Sequence, residues 1–173
     1  MARHRGKCGV SDMNVIKLQQ DLIARMYDEG ADVAVGRYRR SNVDCVAIII
    51  NKAALYLVPV MDLMLPYNVL VTRFREFDAE RIISRFLSCE RYEGSPSGLY
   101  KGKGKNKIFE IESDTAKIWI DVKLISFFDS NSTYRPGGPR DAVAIYEPDS
   151  FPLLVGFVMP MNMAKWEKNG GAR

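Results

Sequence analysis

Between residues 11 and 30 the apolar positions Val15, Leu18, Leu22, Ile23 and Met26 recur at helical spacing. This predicts an amphipathic helix, capped by Ser11 or Asp12 and ended at Gly30. The pattern then changes period. DVAVGRYRR and DCVAIIIN read as two strands joined through SNVD in a hairpin. The continuous apolar run Val46 to Ile50 belongs at the centre of a sheet. A third strand is expected over Ala54–Val58, because Pro59 would interrupt a helix there. Residues 66–76, PYNVLVTRFRE, fit a short strand or a loop. FDAERIISRFLSC predicts a helix capped by Asp78, with Ile82, Ile83, Phe86 and Leu87 on one face and Arg81 and Arg85 on the other.

Downstream, RYEGSPSGLYKGKGKNKIFEIES reads as a hairpin whose loop is rich in Gly, Ser and Lys. Lys117–Ile120 forms a strand that leads into a helix over about Val122–Phe128. Pro136, Gly137, Gly138 and Pro139 turn the chain into a strand at Ala142–Tyr146. PDSF makes a further turn, and LLVGFVMPM is the last strand. Antiparallel hairpins, rather than alternating βα units, predict an α+β fold: one domain with a mostly antiparallel sheet and about three helices. The domain is expected over 11–163, between a flexible basic arm at 1–10 and a flexible tail at 164–173.

Composition narrows the classes. At 47% hydrophobic and 27% charged residues over 173 positions, the chain suits one globular core. No apolar run nears the roughly 20 residues of a membrane span, and the start, MARHRGKCGVSDMN, has no apolar stretch of a secretory signal. Cys8, Cys45 and Cys89 are odd in number and widely spaced, and the one histidine is His4. A disulfide framework and a zinc site are therefore not expected, Cys45 and Cys89 read as small core residues, and a reducing cytoplasm is the natural setting. A net charge of +4 permits nucleic-acid contact without demanding it.

Candidate chemistry is sparse. KGKGKNK lacks the Ser or Thr and the following helix of a phosphate-binding loop. Lys101, Lys103, Lys105 and Lys107 suit either a solvated hairpin tip or a contact with nucleic-acid phosphates, with Tyr100 beside them for stacking. Arg81 and Arg85 either solvate their helix or face phosphates as well. No G-x-S-x-G elbow occurs. Glu110 and Glu112, two apart on one strand, read as an exposed or edge strand rather than an acid/base pair. No catalytic residue, metal or cofactor is expected. Met159, Pro160 and Met161 end the last strand with two soft side chains around a proline. They form either a core strand stopped by proline or an apolar surface for a partner.

The last third carries a resemblance. Ile118–Asp121 with Leu124, Ile125 and Phe128, then Gly138, Pro139, Val143 and Ile145, then Val158, Met159, Pro160 and Met161 are similar to the C-terminal domain of the bacterial DNA sliding clamp, the beta subunit of the replicative polymerase. The resemblance covers about residues 117–163. It implies a DNA-clamp-like domain in which the Met-Pro-Met end helps form a groove for short peptides of replication proteins. A clamp subunit holds several such domains, and this chain has length for one; it also continues past Met161 through Trp166. The resemblance thus implies a stand-alone, non-enzymatic clamp-like protein of a phage or mobile element. It would bind clamp-binding peptides at Met159–Met161, with DNA and self-assembly into a homo-oligomer as further partners. The alternative is a nucleic-acid-binding module unrelated to clamps, working through the lysine loop; an enzyme built on scattered carboxylates is the third reading.

Overall fold

The computed structural model describes residues 13–148 and 152–169. The arm at 1–10, the helix caps expected at Ser11 and Asp12, and most of the PDSF turn lie outside the described residues. Helix α1 (Val15–Met26) is capped instead by Asn14, whose Oδ1 accepts from the Lys17 N–H at 3.0 Å. It ends at Tyr27, three residues before Gly30. Leu18 and Leu22 are fully buried, whereas Ile23 is exposed. A helix turns about 100° per residue, so the position after a buried one lies well round its flank.

Strands β1 (Val33–Arg40) and β2 (Val43–Ile50) pair antiparallel through a two-residue turn at Ser41 and Asn42, with Ser41 at φ 55°. Strand β3 (Ala54–Pro59) follows, its Pro59 at the strand end opposite Cys45. Residues 66–76 fold as helix α2 (Tyr67–Arg73) and a two-residue strand β4 (Arg75–Glu76), where a strand or loop was expected. Pro66 stands just ahead of the helix, where its missing N–H costs nothing, and Leu70 anchors the turn in the core. Helix α3 (Ala79–Leu87) begins as expected, with Asp78 accepting from the Arg81 N–H at 3.0 Å.

Then come β5 (Gly94–Lys101), β6 (Ile108–Ser113), β7 (Lys117–Asp121), the short helix α4 (Val122–Ile125), β8 (Thr133–Arg135), β9 (Val143–Tyr146), β10 (Leu154–Val158) and helix α5 (Met163–Lys168). The expected frayed tail from 164 instead begins as this helix. Asn162 caps it and Trp166 is buried in it. The three expected helices are α1, α3 and α4; α2 and α5 are additional.

The fold is α+β. The ten strands form one sheet in the order β4-β1-β2-β3-β10-β9-β8-β5-β6-β7, antiparallel except at β1/β4. Period-two alternation splits the sheet residues between two cores. Val46, Ile48, Tyr56, Val58, Ile111, Ile120 and Ile145 pack with α1 on one face. Ala47, Leu55, Leu57, Ala144 and Phe157 pack with Ala79 and Ile83 of α3 on the other. The sheet curls around the first core: the Tyr56 hydroxyl donates to the Leu124 carbonyl at 2.8 Å, and Tyr56 and Phe128 stack with centroids 5.1 Å apart.

Candidate functional site

Pro160 divides the Met159–Met161 segment between two places. The Met159 N–H donates to the Ala53 carbonyl at 2.8 Å, continuing the β10–β3 ladder by one residue. Proline has no N–H to extend that ladder. Beyond it the Met161 N–H donates to Trp119 on β7 at 2.7 Å, where the curled sheet brings its far edge close.

Met159 is half-buried and lines an apolar crevice of about 160 Å³ between α3 and the sheet, with Ile49, Leu55, Ile82, Phe86 and Phe157. Met161 lines a different recess, with Asn162, Lys165 and Trp166. The two methionines therefore do not share one pocket.

Sequence builds the Met159 crevice simply. Ala79 and Ile83 seat α3 on the sheet, and Ala53 and Ala54 leave room beside it. Phe86 rests on Phe157 with ring centroids 5.1 Å apart. Arg91 holds the C-terminal end of α3 in place. Its guanidinium donates to the carbonyls of Phe86 at 2.5 Å, Ala142 at 2.5 Å and Arg135 at 3.0 Å, and it lies over the Phe157 ring at 5.4 Å. Burial pulls the Arg91 pKa below its usual value. Nothing in the linear pattern singles out Arg91, because its partners are backbone carbonyls far apart in the chain.

Cations edge this crevice. Lys52 and Arg75 are among its lining residues, which include no carboxylate. Lys52 is paired with Asp32 at 3.4 Å, both side chains largely exposed; Arg75 makes no ion pair with a described residue. Arg81 and Arg85 are exposed on α3, on the flank that continues outward from Ile82 and Phe86. Glu80, the carboxylate within α3, lies toward Tyr38, whose phenol is pushed up by burial and then by that charge.

The lysine loop joins β5 to β6, while α3 packs over β1, β2, β3 and β10. Arg81 and Arg85 therefore stand on a different element from Lys101, Lys103, Lys105 and Lys107. The loop itself is ordered, with a 3-10 turn at Gly104–Asn106. Lys101 lies over Trp119 at 4.5 Å and Lys107 over Tyr100 at 4.3 Å, so one face of Tyr100 is occupied from within the fold. Lys103 and Lys105 are exposed and make no ion pair with a described residue.

The expected carboxylate strand is corrected. β6 is an interior strand, since β7 forms the sheet edge outside it. Glu112 is exposed and pairs with Lys117 at 3.0 Å, whereas Glu110 is 5% exposed with Oε1 lacking a hydrogen-bond partner among the described residues. Of the remaining basic cluster, Arg37 stacks over Tyr67 at 4.6 Å and buried Arg40 donates to the Leu154 carbonyl at 2.7 Å. Cys45 is buried and Cys89 half-buried; burial pushes the Cys45 thiol up, against a smaller opposing pull from Arg40.

Among the described residues no group of three or more His, Cys, Asp and Glu is placed to hold a metal ion, and no helix is long and apolar enough to cross a membrane. No family model matches the chain, and no curated protein or solved structure does either.

Proposed function

We propose that this chain is a non-enzymatic peptide-binding module of the sliding-clamp type, which takes an apolar side chain of a replication protein into the crevice beside Met159. The observation that supports this reading is the crevice itself. An enclosed apolar cavity of about 150 Å³ accepts a benzene ring; this open crevice, at about 160 Å³ and lined by Leu, Ile, Phe and Met side chains together with Lys52 and Arg75, has room for one phenylalanine ring. Met159 contributes a flexible, polarizable wall that repacks around differing guests and makes favourable sulfur–aromatic contacts. Met161 lies outside this crevice, so the reading rests on Met159, with Pro160 fixing where the chain turns away.

Fluorescence anisotropy tests this with a labelled peptide copied from the clamp-binding segment of a bacterial replicative polymerase. Saturable binding by the wild type is expected. Met159→Asp should abolish it while the thermal unfolding midpoint stays near that of the wild type. Equal binding by the variant removes the crevice from consideration.

A second reading, contact with nucleic acid through the hairpin loop, is favoured by one feature: Lys103 and Lys105 stand at a 3-10 turn with no carboxylate partner among the described residues. Retention of single-stranded DNA that weakens steeply with salt, and is lost on neutralising both lysines, would support it. Unchanged retention would end it.

A further inference from the structure

We infer that the occupant of the Met159 crevice is an acidic segment: an aromatic anchor flanked by aspartate or glutamate. This rests on the peptide-binding reading and adds the chemistry that selects the guest.

The argument is charge complementarity around an apolar floor. The residues lining the crevice include two cations, Lys52 and Arg75, and no carboxylate. Lys52 already shares its charge with Asp32, but Arg75 has no ion-pair partner among the described residues. On the surface of α3, Arg85 is the i+3 neighbour of the lining residue Ile82, and Arg81 is the i−4 neighbour of Arg85. Two more guanidiniums, without an ion-pair partner among the described residues, therefore lie along the helix flank next to the lining residue Ile82. Side chains three or four positions apart on a helix meet, so one extended peptide spans the anchor site and this arginine row. An aromatic ring fills the floor, and carboxylates on either side meet Arg75 and Arg85.

The same placement gives Arg81 and Arg85 a partner without nucleic acid. Arg85 follows the lining residue Ile82 by about one helical turn, and both arginines stand on α3 rather than on the β5–β6 connection that carries the lysines. Bidentate guanidinium–carboxylate pairing suits arginine better than lysine, which matches the rim composition.

The test uses three synthetic peptides with one central phenylalanine, flanked by glutamate, by alanine or by lysine. Binding to the full chain is measured by anisotropy at about 50 and 300 mM salt, where screening changes most for exposed pairs. The glutamate-flanked peptide should bind about tenfold more tightly than the alanine-flanked one at low salt, and lose that advantage at high salt. On the Arg75→Gln with Arg85→Gln variant the glutamate-flanked peptide should bind no more tightly than the alanine-flanked one measured on the same variant. Equal binding of glutamate- and alanine-flanked peptides overturns the charge inference and leaves the crevice reading standing. Preference for the lysine-flanked peptide overturns it too. Failure of all three to bind overturns the crevice reading itself. A single-stranded oligonucleotide that binds the wild type and is lost on Arg81→Gln with Arg85→Gln would assign the arginines to nucleic acid and overturn the inference.

Discussion

The indole N–H of Trp166 donates to the Asn106 carbonyl at 3.2 Å, tying the C-terminal helix to the turn that carries the lysines. Beside it Gly102 has φ 75°, and a Cβ there would collide with the Asn106 carbonyl and press on the indole. The helix thus braces the loop. Trp166→Ala should cost about 2 kcal/mol, below the range for a fully enclosed tryptophan because α5 packs at the periphery. Amide hydrogen exchange should speed up at residues 102–107 while β2 and β3 stay protected. Unchanged exchange in the loop would show that α5 does not hold it.

Arg91 is the corresponding brace for α3. Arg91→Ala leaves the carbonyls of Phe86, Arg135 and Ala142 without that donor and should cost about 3 kcal/mol in urea unfolding. Arg91→Lys should recover less than half, since one ammonium cannot reproduce the fork. A near-neutral alanine variant would mean that other groups hold the end of α3.

Glu110 contributes an unfavourable element to the fold: 5% exposed, with a buried oxygen that finds no hydrogen-bond partner among the described residues. Glu110→Leu should raise stability by about 1 kcal/mol, because an apolar side chain leaves no carboxylate to desolvate. A loss of stability on this change would place an undetected partner at that oxygen.

Two tyrosines set the alkaline limit. Tyr56 is buried and donates to Leu124, and burial raises its pKa far above the ordinary value. Tyr67 is pushed up to about 12 by burial and by its 2.7 Å hydrogen bond to Glu76. In both, the folded state favours the neutral phenol. Their contribution is therefore fully present below about pH 10, where unfolded tyrosine titrates, and is lost as pH rises through the folded values. Denaturant midpoints should hold to about pH 9 and fall between about pH 10 and 12. Tyr67→Phe should flatten the early part of that fall. Midpoints that rise above pH 10 would contradict the sign.

Much of the fold was legible because local signals agreed with the sheet. The β1–β2 hairpin, the Asp78 cap and the Pro59 that rules out a helix over β3 each carry a mechanism that acts over a few residues. Helix α2 was not legible: Val69, Val71 and Thr72 are β-branched and disguise a short helix that Leu70 and the core stabilise. Helix α5 hid in a polar tail, although Asn162 followed by Met163 and Trp166 is a capped, one-sided turn. Of the candidate site, Met159 and the arginines of α3 were visible as residue types. The crevice that α3 forms with Met159 was not, because it depends on how α3 crosses β1, β2, β3 and β10. Arg75, Lys52 and Arg91 became visible as contributors only once strands distant in sequence were side by side. The separation of Met159 from Met161 is likewise a consequence of the curl that brings β7 to Pro160.

The most direct test of the central claim follows methionine methyl resonances of the chain labelled at its 8 methionines, titrated with the glutamate-flanked phenylalanine peptide. The Met159 methyl should shift upfield in the ring current of the bound aromatic, saturating with the peptide, while the Met161 methyl stays in place. A saturable titration that leaves Met159 unmoved, or that moves Met161 instead, would contradict the account.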